Sequence, residues 1–130
     1  DSLLPDRRVT LWPYSQVRDP RLRVEDEAIL LQAKPLPALF KIGAFNPQGW
    51  MAYWLDGILF RKTFDVSPSA AYPDHGSNAE TYADSHIVEL ESLGPLVRLA
   101  PGQAVTHAET WQFYDDLNQD FIPENLRESI

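Results

Sequence analysis

Residues 50–64 read WMAYWLDGILFRKTF, in which two apolar runs are joined by Asp56 and Gly57. This pair is typical of a two-residue β-hairpin turn, because both turn positions need positive φ angles that Asp and Gly tolerate. A loop of two residues makes Leu55 and Ile58 direct neighbours and so fixes the register of the whole hairpin. Large apolar side chains then fall on both faces near the turn. We therefore expect both faces to be covered there, as they are between two packed sheets.

Short apolar segments bounded by Gly and Pro lie on both sides of this hairpin. Besides the hairpin, the predicted strands cover residues 8–14, 28–33, 40–44, 86–93, 96–100 and 104–114. Near the C-terminus, Ile122, Leu126 and Ile130 recur at four-residue spacing, which predicts a short amphipathic helix. The chain is therefore predicted to be a single all-β domain over residues 1–130, an antiparallel β-sandwich with a short C-terminal helix.

Composition excludes several classes of partner. The formal charge of −8 and the isoelectric point near 4.7 argue against nucleic acid and anionic membrane surfaces, which are bound by clustered Lys and Arg. No apolar run approaches the roughly 18 residues of a membrane-spanning helix. Without cysteine, the chain has neither disulfides nor a thiol nucleophile. No phosphate-binding loop or zinc-ligand spacing is present, so no cofactor is predicted. Neutral polar ligands such as sugars remain compatible with this composition.

The most suggestive chemistry lies in residues 86–93, HIVELESL. On a strand of period two, Val88 and Leu90 share one face, while Glu89 and Glu91 share the other. Carboxylates two residues apart on a strand are separated by about 6.5 to 7 Å at the backbone. That is close enough to bind one ligand together and to perturb each other's ionisation. The alternative is that both simply form a solvated outer face.

A second polar stretch, residues 74–80, reads DHGSNAE. Oxygen ligands at Asp74, Asn78 and Glu80 around Gly76 have the character of part of a calcium site. The spacing does not match the twelve-residue calcium loop, and Asp and Asn also cap turns by themselves. We favour turn capping and predict no metal site. In the hairpin, Arg61 is interpreted either as a rim residue with its stem buried or as a cation directed into a cleft.

The run ELESLGPLVRLAPGQAVTHAETW, residues 89–111, resembles the C-terminal part of galactose-mutarotase-like proteins, the aldose 1-epimerase superfamily. YPDHGSNAETY at 72–82, LWPYSQVRDPRL at 11–22 and KIGAFNPQGWMAYWLDGILFRKTF at 41–64 are similar to a bacterial subgroup of that superfamily. The resemblance spans residues 11–114. It implies a large two-sheet β-sandwich and a carbohydrate ligand.

The resemblance also implies roles for individual residues. In the superfamily, a Glu on a strand of the C-terminal half is the catalytic base, and Glu91 matches that position, with Glu89 as the alternative. Candidate sugar-binding residues, chosen by residue type, are Asn78, Glu80, Arg61 and Trp54. The expected reaction is acid-base epimerisation at the anomeric carbon of a sugar.

Two departures from the superfamily pattern favour other interpretations. Mutarotases have roughly twice this much sandwich, with an acid His in the half that this chain lacks, so we expect the chain to be the C-terminal portion of a longer protein. Their base is followed by a Thr-Gln segment, whereas Ser92 and Leu93 follow Glu91 here. The alternatives are a non-catalytic carbohydrate-binding domain, and a structural domain that forms homo-oligomers through its C-terminal helix and exposed sheet edges.

Overall fold

The computed structural model describes residues 3–115, which form nine strands and one short helical turn. All strand pairs are antiparallel, which confirms the predicted all-β class. The strands are β1 (Val9–Leu11), β2 (Leu22–Val24), β3 (Ile29–Leu31), β4 (Phe40–Ala44), β5 (Trp50–Leu55), β6 (Ile58–Phe64), β7 (Ala79–Ala83), β8 (Val88–Ser92) and β9 (Glu109–Tyr114); the turn α1 (Pro73–Gly76) lies between β6 and β7.

The hairpin β5-β6 has the predicted register, from Leu55 opposite Ile58 to Trp50 opposite Thr63. Asp56 and Gly57 have φ angles of 49° and 84°, as the two-residue turn requires. Strand β9 pairs with β6 and completes a three-stranded sheet of order β5-β6-β9. The expected cover at the turn is wrong: Leu55 and Ile58 are 53% and 49% exposed. The described pairing of β6 with β9 ends at Leu59, before the turn.

A four-stranded sheet of order β1-β4-β7-β8 contains most of the core. Phe40 and Ile42 on β4 share a face with Ala79 and Ala83 on β7, and all four are buried. Because side chains alternate along a strand, the intervening positions Lys41, Gly43, Glu80 and Tyr82 all point to the opposite face. One face of this sheet is therefore apolar and the other is polar.

The two larger sheets are joined through a buried Lys on β6. The Lys62 ammonium donates to the carbonyl of Leu90 on β8, and it donates at 2.8 Å to Oε1 of Glu109 on β9. Ser92 on β8 also donates to Glu109. Burial acts to raise the pKa of Glu109, but hydrogen bonds from Lys62, Ser92 and Trp111 outweigh it and lower that pKa to about 2. Glu109 is therefore an anionic link between the sheets.

A separate ribbon, β2-β3, is fixed by an ion pair. The Arg21 guanidinium is buried and binds both carboxylate oxygens of Asp19 at 2.9 Å. It also donates at 2.8 Å to the carbonyl of Ala38 and lies over the Phe40 ring, 5.8 Å from its centroid. These contacts lower the pKa of Asp19, chiefly through the hydrogen bonds from the Arg21 side chain. The pair anchors the ribbon to the start of β4.

Several predicted boundaries differ from the structure. Residues 96–100 are not a strand; the Leu96 amide donates to the carbonyl of Ala71, a residue that lies outside any strand. Strand β9 begins at Glu109 and not at residue 104, and β2 and β7 were not predicted. The predicted C-terminal helix lies outside the described residues. Within residues 3–115, no helix is long and apolar enough to span a membrane.

Candidate functional site

The candidate site is the polar face of the four-stranded sheet. Cross-strand pairing aligns one row of residues across all four strands: Thr10, Gly43, Glu80 and Glu91. The next row on the same face contains Lys41, Tyr82 and Glu89. We refer to these seven residues as the polar face.

The Asp84 side chain forms the turn that aligns β8 with β7. Its Oδ1 accepts the backbone N–H groups of His86 at 2.7 Å and Ile87 at 2.9 Å. These two bonds lower the pKa of the Asp84 carboxyl. Because this turn fixes the register, Glu91 is directly opposite Glu80 and Glu89 is opposite Tyr82.

At the centre of the polar face, one ammonium binds two carboxylates. Lys41 Nζ lies 2.9 Å from Oε2 of Glu80 and 2.9 Å from Oε2 of Glu91. The two Glu residues are direct cross-strand neighbours, a position at which like charges repel unless a cation lies between them. Burial acts to lower the pKa of Lys41, but its bonds to Glu91 and Glu80 outweigh this effect and raise that pKa. Lys41 is therefore a firmly held cation.

Glu80 is almost completely buried, and a turn covers it. Burial raises the pKa of its carboxyl; Lys41 opposes the shift, and a contact with the Asp74 carboxyl adds to it. Glu80 Oε1 is buried and has no hydrogen-bond partner within residues 3–115. Burial and the neighbouring Asp74 carboxyl favour the neutral form of Glu80, whereas the Lys41 ammonium favours its ionised form.

The covering turn has an unusual backbone. Asp74, His75 and Gly76 have φ angles of 47°, 61° and 92°, a left-handed succession that costs about 1–2 kcal/mol at each non-glycine position. The carbonyl of Asp74 accepts hydrogen bonds from Thr10 at 3.1 Å and from Ser77 at 2.9 Å. The Ser77 hydroxyl packs over Gly43, where a Cβ atom would lie 2.7 Å from its Oγ. A glycine at residue 43 thus lets the turn approach the sheet.

An aromatic ring borders the charged centre. The Trp12 ring centroid lies 4.8 Å from Lys41 Nζ, within the range of a cation–π contact. Ser15 fixes the same region of β4, since its hydroxyl donates to the Lys41 carbonyl at 2.7 Å and accepts the Lys41 amide at 2.8 Å. The Trp12 ring and the Glu91 carboxylate therefore flank the same ammonium.

The structure brings some of the predicted site residues together and separates others. Glu91, with its side chain 32% exposed, shares the polar face with Glu80 and with the exposed Glu89. The Asn78 amide is occupied, because its Oδ1 accepts the Asn46 amide at 2.6 Å and its Nδ2 donates to the Asn46 carbonyl at 2.9 Å.

Arg61 and Trp54 lie on the three-stranded sheet. They share one face of the β5-β6 hairpin, and the Arg61 guanidinium carbon is 5.2 Å from the centroid of the Trp50 ring. Neither residue is paired with a strand of the four-stranded sheet. Arg61 is half-buried, its guanidinium lies against an aromatic ring, and its Nε has no hydrogen-bond partner within residues 3–115.

Lys41 and Trp12 were not selected from the sequence. One signal was present for Lys41: it is a lone cation at an alternating position within the apolar strand FKIGA, which identifies the side of the strand opposite the core. Its partners lie 39 and 50 positions further along the chain, so no local pattern connects them. Trp12 contacts the same ammonium from the end of β1.

A second polar cluster contains a Ser and a His but lacks the order of a nucleophilic pair. Ser92 Oγ lies 2.8 Å from His107 Nε2, and it donates its hydrogen to Glu109. A hydroxyl has one hydrogen to donate, so His107 donates to Ser92 and does not remove its proton. This cluster connects β8 to β9 and does not activate the serine.

The described part of the chain contains no group of three or more His, Asp or Glu residues placed to hold a metal ion. Asp74 and Glu80 are adjacent, but the third residue of the calcium alternative, Asn78, uses its side chain on the Asn46 backbone. The carboxyl groups of the polar face can accept hydrogen bonds and exchange protons.

No known protein family, no curated protein and no solved structure matches this chain.

Proposed function

We propose that this domain binds carbohydrate on the polar face, with Glu91 accepting hydrogen bonds from sugar hydroxyls. The proposal depends on one observation: Lys41 holds Oε2 of the part-exposed Glu91 side chain at 2.9 Å, Glu91 Oε1 is shielded from solvent without a partner within residues 3–115, and the Trp12 ring flanks the same ammonium. A fixed carboxylate accepts two or more hydroxyl donors, while an indole ring supplies a flat apolar surface for the C–H face of a sugar.

The electrostatics of the face favour a neutral, hydroxyl-rich ligand. Glu91, Glu89 and Glu80 outnumber the single cation Lys41, and the whole chain is acidic. An anionic group at Glu91 would be repelled by these carboxylates. The proposal also includes the architecture: the two larger sheets would be part of a galactose-mutarotase-like sandwich.

Calorimetric titration with a panel of neutral monosaccharides and oligosaccharides tests the proposal. We expect saturable binding to at least one sugar, and a loss of about tenfold or more in affinity for Glu91→Gln, because a charged acceptor becomes a neutral one. The matched control is Glu27→Gln, an exposed carboxylate outside the polar face. Failure of the parent chain to bind any sugar, or equal affinity in Glu91→Gln, would overturn the proposal.

A second candidate, acid-base epimerisation with Glu91 as base, is favoured by the Glu80–Glu91 pair. The cross-strand carboxyls differ in environment, and such asymmetry is typical of an acid-base pair. The base would take the anomeric hydroxyl proton while an acid protonates the ring oxygen. Glu80 is too buried to reach a ring oxygen, however, and the raised pKa of Lys41 makes it a weak proton donor. We therefore prefer binding over catalysis.

Exchange between sugar anomers, followed by NMR or polarimetry, separates the two functions. A positioned acid or base contributes on the order of 10² to 10⁴ in rate, so an active chain should lose at least that much in Glu91→Gln. Sugar binding without faster exchange supports the binding domain. Faster exchange that depends on Glu91 supports the epimerase instead.

A further inference from the structure

A cleft with two arginines opens between the N-terminal segment and the turn α1. Its volume is about 330 Å³, and the residues that matter here are Arg7, Arg8, Thr10, Phe45, His75 and Ser77. Arg8 precedes β1 by one residue and Ser77 follows α1 directly, so the cleft lies beside the Thr10 end of the polar face. The cleft shares Thr10 with the polar face, but Glu91 and Lys41 do not line it.

Hydrogen-bond donors in this cleft remain available. Arg8 uses one N–H group, from Nη1, on the carbonyl of His75, and within residues 3–115 its other guanidinium N–H groups have no protein acceptor. Arg7 uses Nη1 on the carbonyl of Asp26 at 2.7 Å, and its Nε is 3.8 Å from the exposed carboxylate of Asp6, a weak contact. The cleft therefore presents unused guanidinium N–H groups.

The neighbouring hydroxyl groups are not available as hydrogen-bond donors to a ligand. Thr10 and Ser77 both donate to the carbonyl of Asp74, so their hydrogens are already used. The His75 ring and the two guanidinium groups are the donors that remain along the cleft, and Phe45 lines it with an apolar ring. The one carboxylate that lines the cleft, Asp6, is 3.8 Å from Arg7 Nε, so the guanidinium N–H groups outnumber the acceptors, and this excess of donors favours an anionic ligand over a neutral polyol.

We propose that this cleft binds the oxyanion group of a small ligand, a phosphate or a carboxylate, through Arg7 and Arg8. The planar guanidinium donates two parallel hydrogen bonds to such a group. The chain as a whole is acidic, with a formal charge of −8. Two adjacent arginines lining one cleft are therefore a local cluster of positive charge. The proposal does not depend on carbohydrate binding at Glu91.

The test is titration of the chain with inorganic phosphate, followed by calorimetry and by the NMR signals of the Gly76 amide and the His75 ring. We expect saturable binding at one site and shifts confined to the cleft. Arg8→Gln should weaken binding by about tenfold or more, and Arg7→Gln should weaken it as well. Arg98→Gln, an equal change of charge at an exposed position between β8 and β9, should have no effect.

Two arginine variants are used, so that the test still gives an answer if one of them folds poorly. Arg8 anchors the His75 carbonyl, whereas Arg7 is mostly exposed, so Arg7→Gln preserves the fold. Parallel titrations with a hexose phosphate and a hexuronate distinguish a phosphate ligand from a carboxylate ligand, and arginine-dependent binding of either supports the site. No saturable binding of phosphate, the hexose phosphate or the hexuronate by the parent chain, or equal affinity in all three variants, would overturn the proposal while leaving the neutral-sugar titration unaffected.

Discussion

Glu80 and Glu91 are direct cross-strand neighbours, yet their side chains are 1% and 32% exposed. The turn α1 covers Glu80, whereas Glu91 lies on the open side of β8. Because Lys41 binds both carboxylates, it couples the buried Glu80 to the part-exposed Glu91, the acceptor in the proposed ligand site. Any change at Lys41 should therefore affect both stability and ligand binding.

Lys41→Met should destabilise the domain by about 3 kcal/mol or more, because removing one partner leaves a buried carboxyl without its counter-charge. The loss should be larger at neutral than at acidic pH, since protonation of Glu80 removes the unpaired charge. Urea denaturation at pH 5 and pH 7 measures both effects. Lys34→Met, at an exposed position, is the control. Equal stability of the two variants would contradict the assigned role of Lys41.

Asp74→Asn should stabilise the domain at pH 7 by about 1 kcal/mol, because an amide N–H can donate to Glu80 where a carboxylate cannot. Asparagine also tolerates the left-handed backbone at this position. The pKa of Glu80 is raised above 4.5, so its proton-linked stability is complete below pH 4.5 and is lost as the pH rises through the native-state pKa. Asp74→Asn should reduce this loss of stability with rising pH.

Two measurements test the Asp74 prediction together. They are NMR titration of the Glu80 carboxyl carbon and denaturation at pH values from 4.5 to 7. Asp65→Asn, an exposed carboxylate on the chain after β6, controls for the change in net charge. An unchanged Glu80 titration in Asp74→Asn would mean that the two carboxyls do not interact.

Glu109 should produce a pH dependence of opposite sign. Its pKa falls from 4.5 to about 2 on folding, so its contribution is present above pH 4.5 and is lost as the pH falls towards 2. The shift corresponds to about 3 kcal/mol. Glu109→Gln should therefore be less stable at pH 6 but lose less stability on acidification. Denaturation midpoints at successive pH values measure this, and a variant as acid-sensitive as the parent would refute it.

The parts of the fold that were predictable depend on local chemistry. The Asp56-Gly57 turn fixed the register of β5-β6, and alternation correctly placed Glu89 and Glu91 on one face. Strand β7 was not predicted, because its sequence AETYA alternates small residues with polar ones and resembles a loop until its partners are known. The Lys41 cluster is non-local, and the separation of Arg61 from Glu91 depends on how the sheets pack.

Two glycines with similar backbone angles offer a sharper test of that packing. Gly49 and Gly57 have φ angles of 65° and 84°, so alanine at either position costs about 1–2 kcal/mol for the left-handed backbone. Around Gly57 there is open space, whereas a Cβ at Gly49 would overlap the carbonyl oxygen of Phe64. That oxygen cannot move freely, because the Phe64 amide donates to the Gly49 carbonyl at 2.8 Å.

We therefore expect Gly49→Ala to cost about 2 kcal/mol more than Gly57→Ala, as strain in a packed site adds to the backbone penalty. Urea denaturation of the two variants measures the difference directly, and each serves as the control for the other. Comparable losses would mean that the chain entering β5 does not approach the end of β6 as closely as the Gly49–Phe64 contact requires. The antiparallel pairing of β6 that positions Lys62 and Glu109 would then be incorrect.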